Sequence, residues 1–380
     1  MAKRKKNKVR TDFRKRYGQR TRQGDLTRQF HENENGDDVA TPGSERLTGR
    51  GELAKKRTIR GENVDTSDDT GQSFVLDVDW NLCKPGRVLR VHGLNSFVQL
   101  DDGTVLSCAT RGLLKTIGTE LRHVVVAGDQ VAVKQLDQDS GVIQRVEPRS
   151  GCISRTSRGR QHLIASNIQQ LMIVTSCAEP HMKPNLIDRF LITAEKSGVQ
   201  PVIVINKVDL AKAAEVQPIA ASFGQLGYPV LLVSATKGWG VANLKQWVEG
   251  KRTVVAGQSG VGKSSILNAI QPGLSLRVSA VSEENQKGRH TTTTAQLVPL
   301  EFGGFLVDTP GIRQFQLWDL IPEEVAGFFR DFRPWIDLCR FPNCSHTHEQ
   351  ECAVKGAVAD GRIDLRRYDS YCQIHAGDMV

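Results

Sequence analysis

The rhythm of apolar positions changes three times along the chain. Residues 1–80 show no sustained apolar period and include the polar run Arg60–Gly71. A basic, largely disordered extension until bound is the expectation there. Between 83 and 149, short β-rich runs at Arg87–Val91, Phe97–Leu100, Thr104–Cys108, Gln130–Val133 and Val142–Val146 are separated by Gly/Asp turns. Five such strands predict a small barrel over 81–150, either an OB-fold or an SH3-like barrel. From about 165 to 318, near-continuous Val/Ile/Leu runs alternate with helical segments. Strands are expected at Leu171–Thr175, Val202–Ile205, Val230–Val233, Thr253–Ala256, Leu297–Leu300 and Phe305–Val307. Helices are expected near Asn185–Lys196, Ala213–Leu226, Val241–Val248 and Lys263–Ile270, the first with an apolar stripe of Leu186, Phe190, Leu191 and Ala194. This pattern predicts a mostly parallel sheet covered on both faces, an α/β domain over 151–318, followed by an α-rich domain over 319–380.

Composition adds a compartment and a partner class. No apolar run reaches the roughly 18 residues of a membrane span, and no apolar segment follows the basic start as a secretory signal would require. Of the eight cysteines only Cys339, Cys344 and Cys352 cluster, which argues against a disulfide scaffold and for a reducing cytoplasm. The net charge of +9 is uneven: residues 1–30 hold twelve Lys/Arg against Asp12 and Asp25. The rest of the chain is close to neutral. An arm of this kind attracts polyanions, nucleic acid above all.

Gly257, Gln258, Ser259, Gly260, Val261, Gly262, Lys263 and Ser264, continued by Ser265, follow an expected strand and open an expected helix. This is the setting of a phosphate-binding loop, whose backbone N–H groups wrap phosphates at a helix N-terminus. Lys263 is expected to reach the β/γ-phosphates and the Ser264 hydroxyl to hold Mg²⁺. At another strand end stand Asn206, Lys207, Val208 and Asp209. The Asp209 carboxylate can accept from both N–H groups of guanine's Watson–Crick edge, which adenine does not offer, while Asn206 and Lys207 hold the loop and cover the base. Ser234 and Ala235, at the next strand end, supply the second base contact. Asp308-Thr-Pro-Gly311 places an Asp to bind Mg²⁺ through water and a Gly311 N–H to face the γ-phosphate. In the run Gly288–Thr294, Thr292 is the favoured residue to close the Mg²⁺ shell.

Ordinary small GTPases run from phosphate loop through both switches to the base-reading elements. Here base reading (206–209, 234–235) comes first, so the motifs are circularly permuted. The second switch then leads within 28 residues to the cysteine cluster, so nucleotide state is expected to reposition the C-terminal domain. After Gly311 stands Ile312, where Ras-like proteins carry a water-orienting Gln. Intrinsic hydrolysis is therefore expected to be slow, with His290 as the candidate for holding the water and Arg289 and Arg313 as possible cationic helpers. The spacing Cys339-x₄-Cys344-x-His346-x₅-Cys352 offers three thiolates and an imidazole, a closed tetrahedral set for one structural Zn²⁺, with His348 as an alternative nitrogen. Arg340, Lys355, Arg362, Arg366 and Arg367, with Tyr368 and Tyr371, make a candidate RNA surface.

The ensemble resembles the bacterial circularly permuted, small-subunit-dependent GTPases called RsgA or YjeQ. The resemblance rests on GQSGVGKSS at 257–265, GRHTTT at 288–293, DTPG at 308–311, NKVDL at 206–210, the Cys/Cys/His/Cys spacing and Arg367–Tyr371. It covers roughly residues 83–375. It implies an OB-fold, a permuted GTPase domain and a zinc domain in a monomeric protein. It further implies binding of the 30S subunit and 16S rRNA late in maturation, with GTP hydrolysis stimulated by that subunit. Two rival readings remain: a permuted GTPase of large-subunit assembly, and a non-enzymatic RNA chaperone with a vestigial nucleotide site.

Overall fold

The computed structural model describes residues 7–12, 56–63, 74–112, 114, 124–157, 160–274, 295–308 and 321–377. Its strands are β1 (Asn7–Asp12), β2 (Lys56–Asn63), β3 (Phe74–Leu76), β4 (Lys84–His92), β5 (Asn95–Leu100), β6 (Val105–Thr110), β7 (Gln130–Gln135), β8 (Ser140–Val146), β9 (Ile153–Ser157), β10 (Arg160–Ala165), β11 (Gln170–Ser176), β12 (Gln200–Asn206), β13 (Val230–Leu232), β14 (Arg252–Ala256), β15 (Gln296–Pro299) and β16 (Phe305–Asp308). The helices are α1 (Pro184–Lys196), α2 (Ala213–Gly224), α3 (Val241–Val248), α4 (Lys263–Ile270), α5 (Pro322–Phe328), α6 (Arg333–Ile336), α7 (Ala353–Ala359) and α8 (Leu365–His375).

Strands β4 to β8 close into a barrel in the order β4-β5-β6-β8-β7, sealed by antiparallel pairing of β4 with β7. The parallel pairing of β6 with β8 gives the Greek-key order of an OB-fold and settles the choice against an SH3-like barrel. Alternation drives it: in β5, Ser96, Val98 and Leu100 are buried while their neighbours are not. Val88, Val98, Leu106, Val131, Val133 and Ile143 fill the interior.

The expected disorder of residues 1–80 does not extend to three of its segments. β1, β2 and β3 form an antiparallel sheet in which Val9 pairs with Ile59. Leu76 of β3 packs into the barrel core, and Arg145 Nη1 donates to its carbonyl at 3.2 Å. Short β-branched stretches such as Thr58-Ile59 favour pairing locally, and a charge average over 80 residues hides them.

The central sheet runs β13-β12-β11-β14-β16-β15, parallel except for β15. Every residue of β11 is buried, as a strand covered on both faces requires. One core lies on the side of α1 and α2, the other on the side of α3 and α4. In α1 Phe190, Leu191 and Ala194 of the expected stripe are buried together with Ile187, and Leu186 packs partly buried against the same core. β15 touches the barrel through the pair Gln296–Arg90, which makes barrel and sheet one hydrogen-bonded ribbon. The hairpin β9–β10 has no counterpart in the sequence reading, because its Arg/Ser-rich composition masks an apolar anchor at Ile153 and Ala165.

Helices α5 to α8 pack around Phe329, Phe332, Val354, Ile363 and Tyr371, and Ile192 of α1 enters the same cluster. Fully buried Asp188 of α1 receives Arg367 Nη1 at 2.6 Å and Arg366 Nη1 at 2.9 Å. Arg367 then grips Asp331 with Nε and Nη2 at 2.9 and 2.8 Å. Arg330 and Arg333 share Glu195 at 2.6 and 2.9 Å, and Arg330 lies over the Tyr228 ring. The C-terminal helices are thus bolted to α1 by charges taken out of water.

Candidate nucleotide site and cysteine–histidine centre

From β11 the chain moves outward through β12 and β13, then returns across β11 to β14. The carboxyl ends of β11 and β14 therefore flank a topological switch point, where open α/β sheets bind ligands. The phosphate-binding loop leaves β14 at that point. Gly257 has φ +143°, and a Cβ there would lie 2.1 Å from the Val174 carbonyl oxygen. Gly262 has φ +91°, and a Cβ would lie 2.4 Å from Asn206 Nδ2. Only glycine lets the backbone approach this closely. Gly262 opens α4, so its first N–H groups face the loop. Lys263 Nζ donates to the carbonyls of Gly257 and Gln258, both at 2.7 Å, which folds the side chain over the loop. Val261 is buried, whereas Ser259, Gly260, Ser264 and Ser265 are exposed on the loop and first turn.

The base-reading residues are tied to this loop. Buried Asn206 donates from Nδ2 to the Val261 carbonyl at 2.9 Å and accepts the Ala235 N–H at 3.2 Å. One side chain thereby fixes three elements. Lys207 sits at φ 63° and crosses to the carbonyls of Gly260, at 2.9 Å, and of Glu179. Val208 N–H donates to Val233 O at 3.3 Å, and the Ser234 hydroxyl accepts the Lys237 N–H at 3.1 Å. Asp209 Oδ1 is buried and has no hydrogen-bond partner among the described residues. A buried acceptor without a donor is costly. Guanine's paired N–H groups are the donors such a carboxylate fits.

The sequence reading missed the segment Ser176–Pro180. Cys177 Sγ donates to the Asn206 and Lys207 carbonyls at 3.3 and 3.2 Å, and Pro180 packs 3.4 Å from where a Gly260 Cβ would stand. Its position just past β11, at the switch point, was the available signal. Asp308 ends β16. His290, Thr292, Gly311, Ile312, Arg289 and Arg313 lie outside the described residues.

The second centre is compact. The ligand atoms of Cys339, Cys344, His346 and Cys352 all lie within 4.8 Å of one another. Cys339 and Cys352 Sγ are 3.8 Å apart, and each is 3.4 Å from His346 Nδ1. Tetrahedral Zn²⁺ with bonds of about 2.3 Å to sulfur and 2.0 Å to nitrogen requires edges of about 3.8 and 3.5 Å. The observed spacings fit. Burial lowers the His346 pKa, which favours the neutral imidazole a metal needs. Burial pushes the Cys344 thiol up to about 12, so the thiolates need a cation between them. Outside the four, Tyr368 and Tyr371 hydroxyls donate to the His346 and Ser345 carbonyls at 2.8 and 2.6 Å. His348 is 84% exposed and stands outside the cluster.

The RNA surface read from the sequence is corrected in part. Arg367 is buried with Asp188 and Asp331, Arg366 binds Asp188, and Tyr371 is 1% exposed. These three hold the docking of the C-terminal helices instead. Arg340, Lys355 and Arg362 are not drawn into that network.

The permuted motif order on a doubly covered sheet, with the phosphate loop at its switch point, defines a circularly permuted P-loop GTPase. The model of the RsgA GTPase family matches residues 146–318. The small ribosomal subunit biogenesis GTPase RsgA of Thermotoga maritima is 38% identical over 303 residues, spanning 77% of this chain and 96% of that protein. The protein of the same name from Gemmatimonas aurantiaca is 39% identical over 282 residues, spanning 73% of this chain and 92% of that one. Among solved structures, YjeQ from Thermotoga maritima superposes with a TM-score of 0.66 at 34% identity, covering 78% of this chain and 98% of that one. The circularly permuted GTPase YloQ superposes with a TM-score of 0.61 at 27% identity, covering 79% and 97%. The chain belongs to the RsgA GTPase family, whose members hydrolyse GTP and bind GTP or GDP with Mg²⁺.

Proposed function

We propose that this protein binds the small ribosomal subunit and assists its late maturation, hydrolysing GTP to GDP and phosphate under stimulation by that subunit. The observation that carries this reading is that relatives named for small-subunit biogenesis align over nearly their whole length. The likeness therefore includes the barrel and the C-terminal helices as well as the nucleotide motifs. The partner surface is 16S rRNA, the protein works as a monomer in the cytoplasm, and the functional units are 81–150, 151–318 and 319–380. In co-sedimentation with a non-hydrolysable GTP analogue, the protein should pellet with 30S and not with 50S subunits. Retention on 50S alone would sink the reading.

Within the site, the backbone of 257–262 wraps the phosphates, Lys263 neutralises the β/γ charge, and Ser264, Thr292 and Asp308 hold Mg²⁺ directly or through water. Gly311 N–H faces the γ-phosphate. Asp209 reads the base, with Asn206, Lys207, Ser234 and Ala235 shaping its pocket. His290 positions the attacking water in place of the Gln that Ile312 replaces. His290→Ala should lower subunit-stimulated kcat about 100-fold while GDP affinity stays unchanged. An unchanged stimulated rate removes His290 from the mechanism.

Cys339, Cys344, His346 and Cys352 hold one structural Zn²⁺, which has no open position for catalysis. Elemental analysis should give one zinc per chain. Cys352→Ser should lower that ratio and abolish the near-ultraviolet dichroism of the Phe329–Tyr371 cluster, because binding energy at such a centre is folding energy. A metal-free wild-type chain with the same dichroism would refute the assignment.

A further inference from the structure

At the junction between barrel and central sheet, Arg149, Arg87 and Arg252 are held differently, and among the described residues Arg149 alone of these three is paired with an acid. Arg149 is buried against Asp129, donating from Nε and Nη2 to both carboxylate oxygens at 2.8 Å. The Ser166 hydroxyl and the Val126 N–H also donate to Asp129, at 2.5 and 2.9 Å. That carboxylate is saturated.

Arg87 on β4 and Arg252 at the start of β14 are half-buried and differently held. Arg87 Nη1 donates to the Gly128 carbonyl at 3.4 Å, and Arg252 Nε donates to the Asn167 carbonyl. Asn167 Nδ2 in turn donates to the Gly128 carbonyl at 3.0 Å, so the two anchoring carbonyls belong to one cluster. Two guanidinium groups, one from the barrel and one from the sheet, are thus anchored on the same cluster and lie near enough for the Arg87 charge to act on Arg252. Neither forms an ion pair with a carboxylate among the described residues, although Arg87 feels Asp101 from a distance. Burial and the Arg87 charge push Arg252 down to about 10, and burial lowers Arg87 as well.

Two like charges kept half out of water cost free energy unless an anion joins them. The carbonyl contacts use one nitrogen of each guanidinium, leaving fork-shaped donors that match a tetrahedral oxyanion. The arginine pair is separate from the nucleotide loop. Arg252 opens the strand and Gly257 follows its far end, about 16 Å away at strand rise.

We propose that Arg87 and Arg252 form a phosphate-binding site at the junction of barrel and central sheet, taking a phosphate of an RNA backbone or a free phosphate ion. Because Arg252 begins the strand that ends in the phosphate-binding loop, occupancy clamps the barrel to the nucleotide-binding sheet. The RNA source rests on the ribosomal reading above; the free-ion source does not.

The test uses the full chain saturated with GDP and Mg²⁺, so that the phosphate-binding loop is filled. Thermal unfolding is followed against inorganic phosphate at constant ionic strength, and affinity for a short single-stranded RNA is measured in parallel. The wild type is compared with Arg87→Gln/Arg252→Gln and with Lys196→Gln/Lys245→Gln, which removes equal charge elsewhere. Half-saturation by phosphate should weaken about tenfold or more in the arginine variant only. A parallel loss of RNA affinity with a shallower salt slope assigns the site to an RNA backbone. Loss of the phosphate response with RNA affinity intact assigns it to the free ion. An equal phosphate response in all three proteins overturns the proposal. Should the double variant fail to retain GDP, Arg252→Lys, which keeps the charge without the fork, must give an intermediate response; a wild-type response overturns the proposal. A protein that shows the arginine-dependent phosphate response yet ignores 30S subunits refutes the ribosomal reading and leaves this site standing.

Discussion

Asp209→Asn should weaken GTP binding by about a thousandfold or more, the range for a site that loses a matched hydrogen-bonding partner. Asp209 Oδ1 is buried with no partner among the described residues, so an N–H of the bound base is the donor it lacks. The substitution places an amide N–H against guanine's own N–H groups, turning an attraction into a clash of donors. Xanthine carries a carbonyl where guanine carries its amino group. The variant should therefore bind xanthosine triphosphate better than the wild type does. Competition against a fluorescent guanine nucleotide measures both effects. A GTP affinity within threefold of wild type would show that Asp209 does not read the base.

The second large effect lies away from the nucleotide. Asp188→Ala removes the fully buried carboxylate that holds Arg366 and Arg367. Arg367 keeps Asp331, but the charge balance of the buried cluster is lost. Removing one partner of such a network costs about 3–5 kcal/mol. The loss should appear as early melting of the C-terminal helices from α1, read by the fluorescence of Trp335 beside Arg362. GDP affinity should change little, because Asp188 does not touch the nucleotide loops. A loss under about 1 kcal/mol would mean that apolar packing through Ile192, Phe329 and Phe332 carries the docking alone.

What could be read beforehand follows from where the physics is local. The inner strands β11 and β12 announce themselves as apolar runs because they are covered on both faces, and glycines 257, 260 and 262 mark a backbone conformation few other residues adopt. The zinc-type spacing is equally local, with four donors within fourteen residues. Long-range pairings were not legible. Nothing near Asp188 in the sequence points to Arg367, 179 residues away, and so both Arg366 and Arg367 read as surface cations. Cys177 carries no motif, and its bracing of the base loop exists only once β11 and β12 lie side by side. Among the N-terminal strands, pairing of Val9 with Ile59 joins segments that composition treats as one polar tail. In the apolar stripe of α1, Phe190, Leu191 and Ala194 are buried as expected, while Leu186 is only partly buried against the core and Ile187 is fully buried.

Completion of the site by the small subunit is expected to turn a slow GTPase into a fast one. Steady-state GTP turnover of the full chain, measured alone, with purified 30S subunits and with purified 50S subunits, tests it most directly. Turnover should be slow alone, rise at least about a hundredfold with 30S, as when a partner completes a GTPase site, and not respond to 50S. Stimulation by 50S only, or turnover that is fast without any subunit, would contradict it.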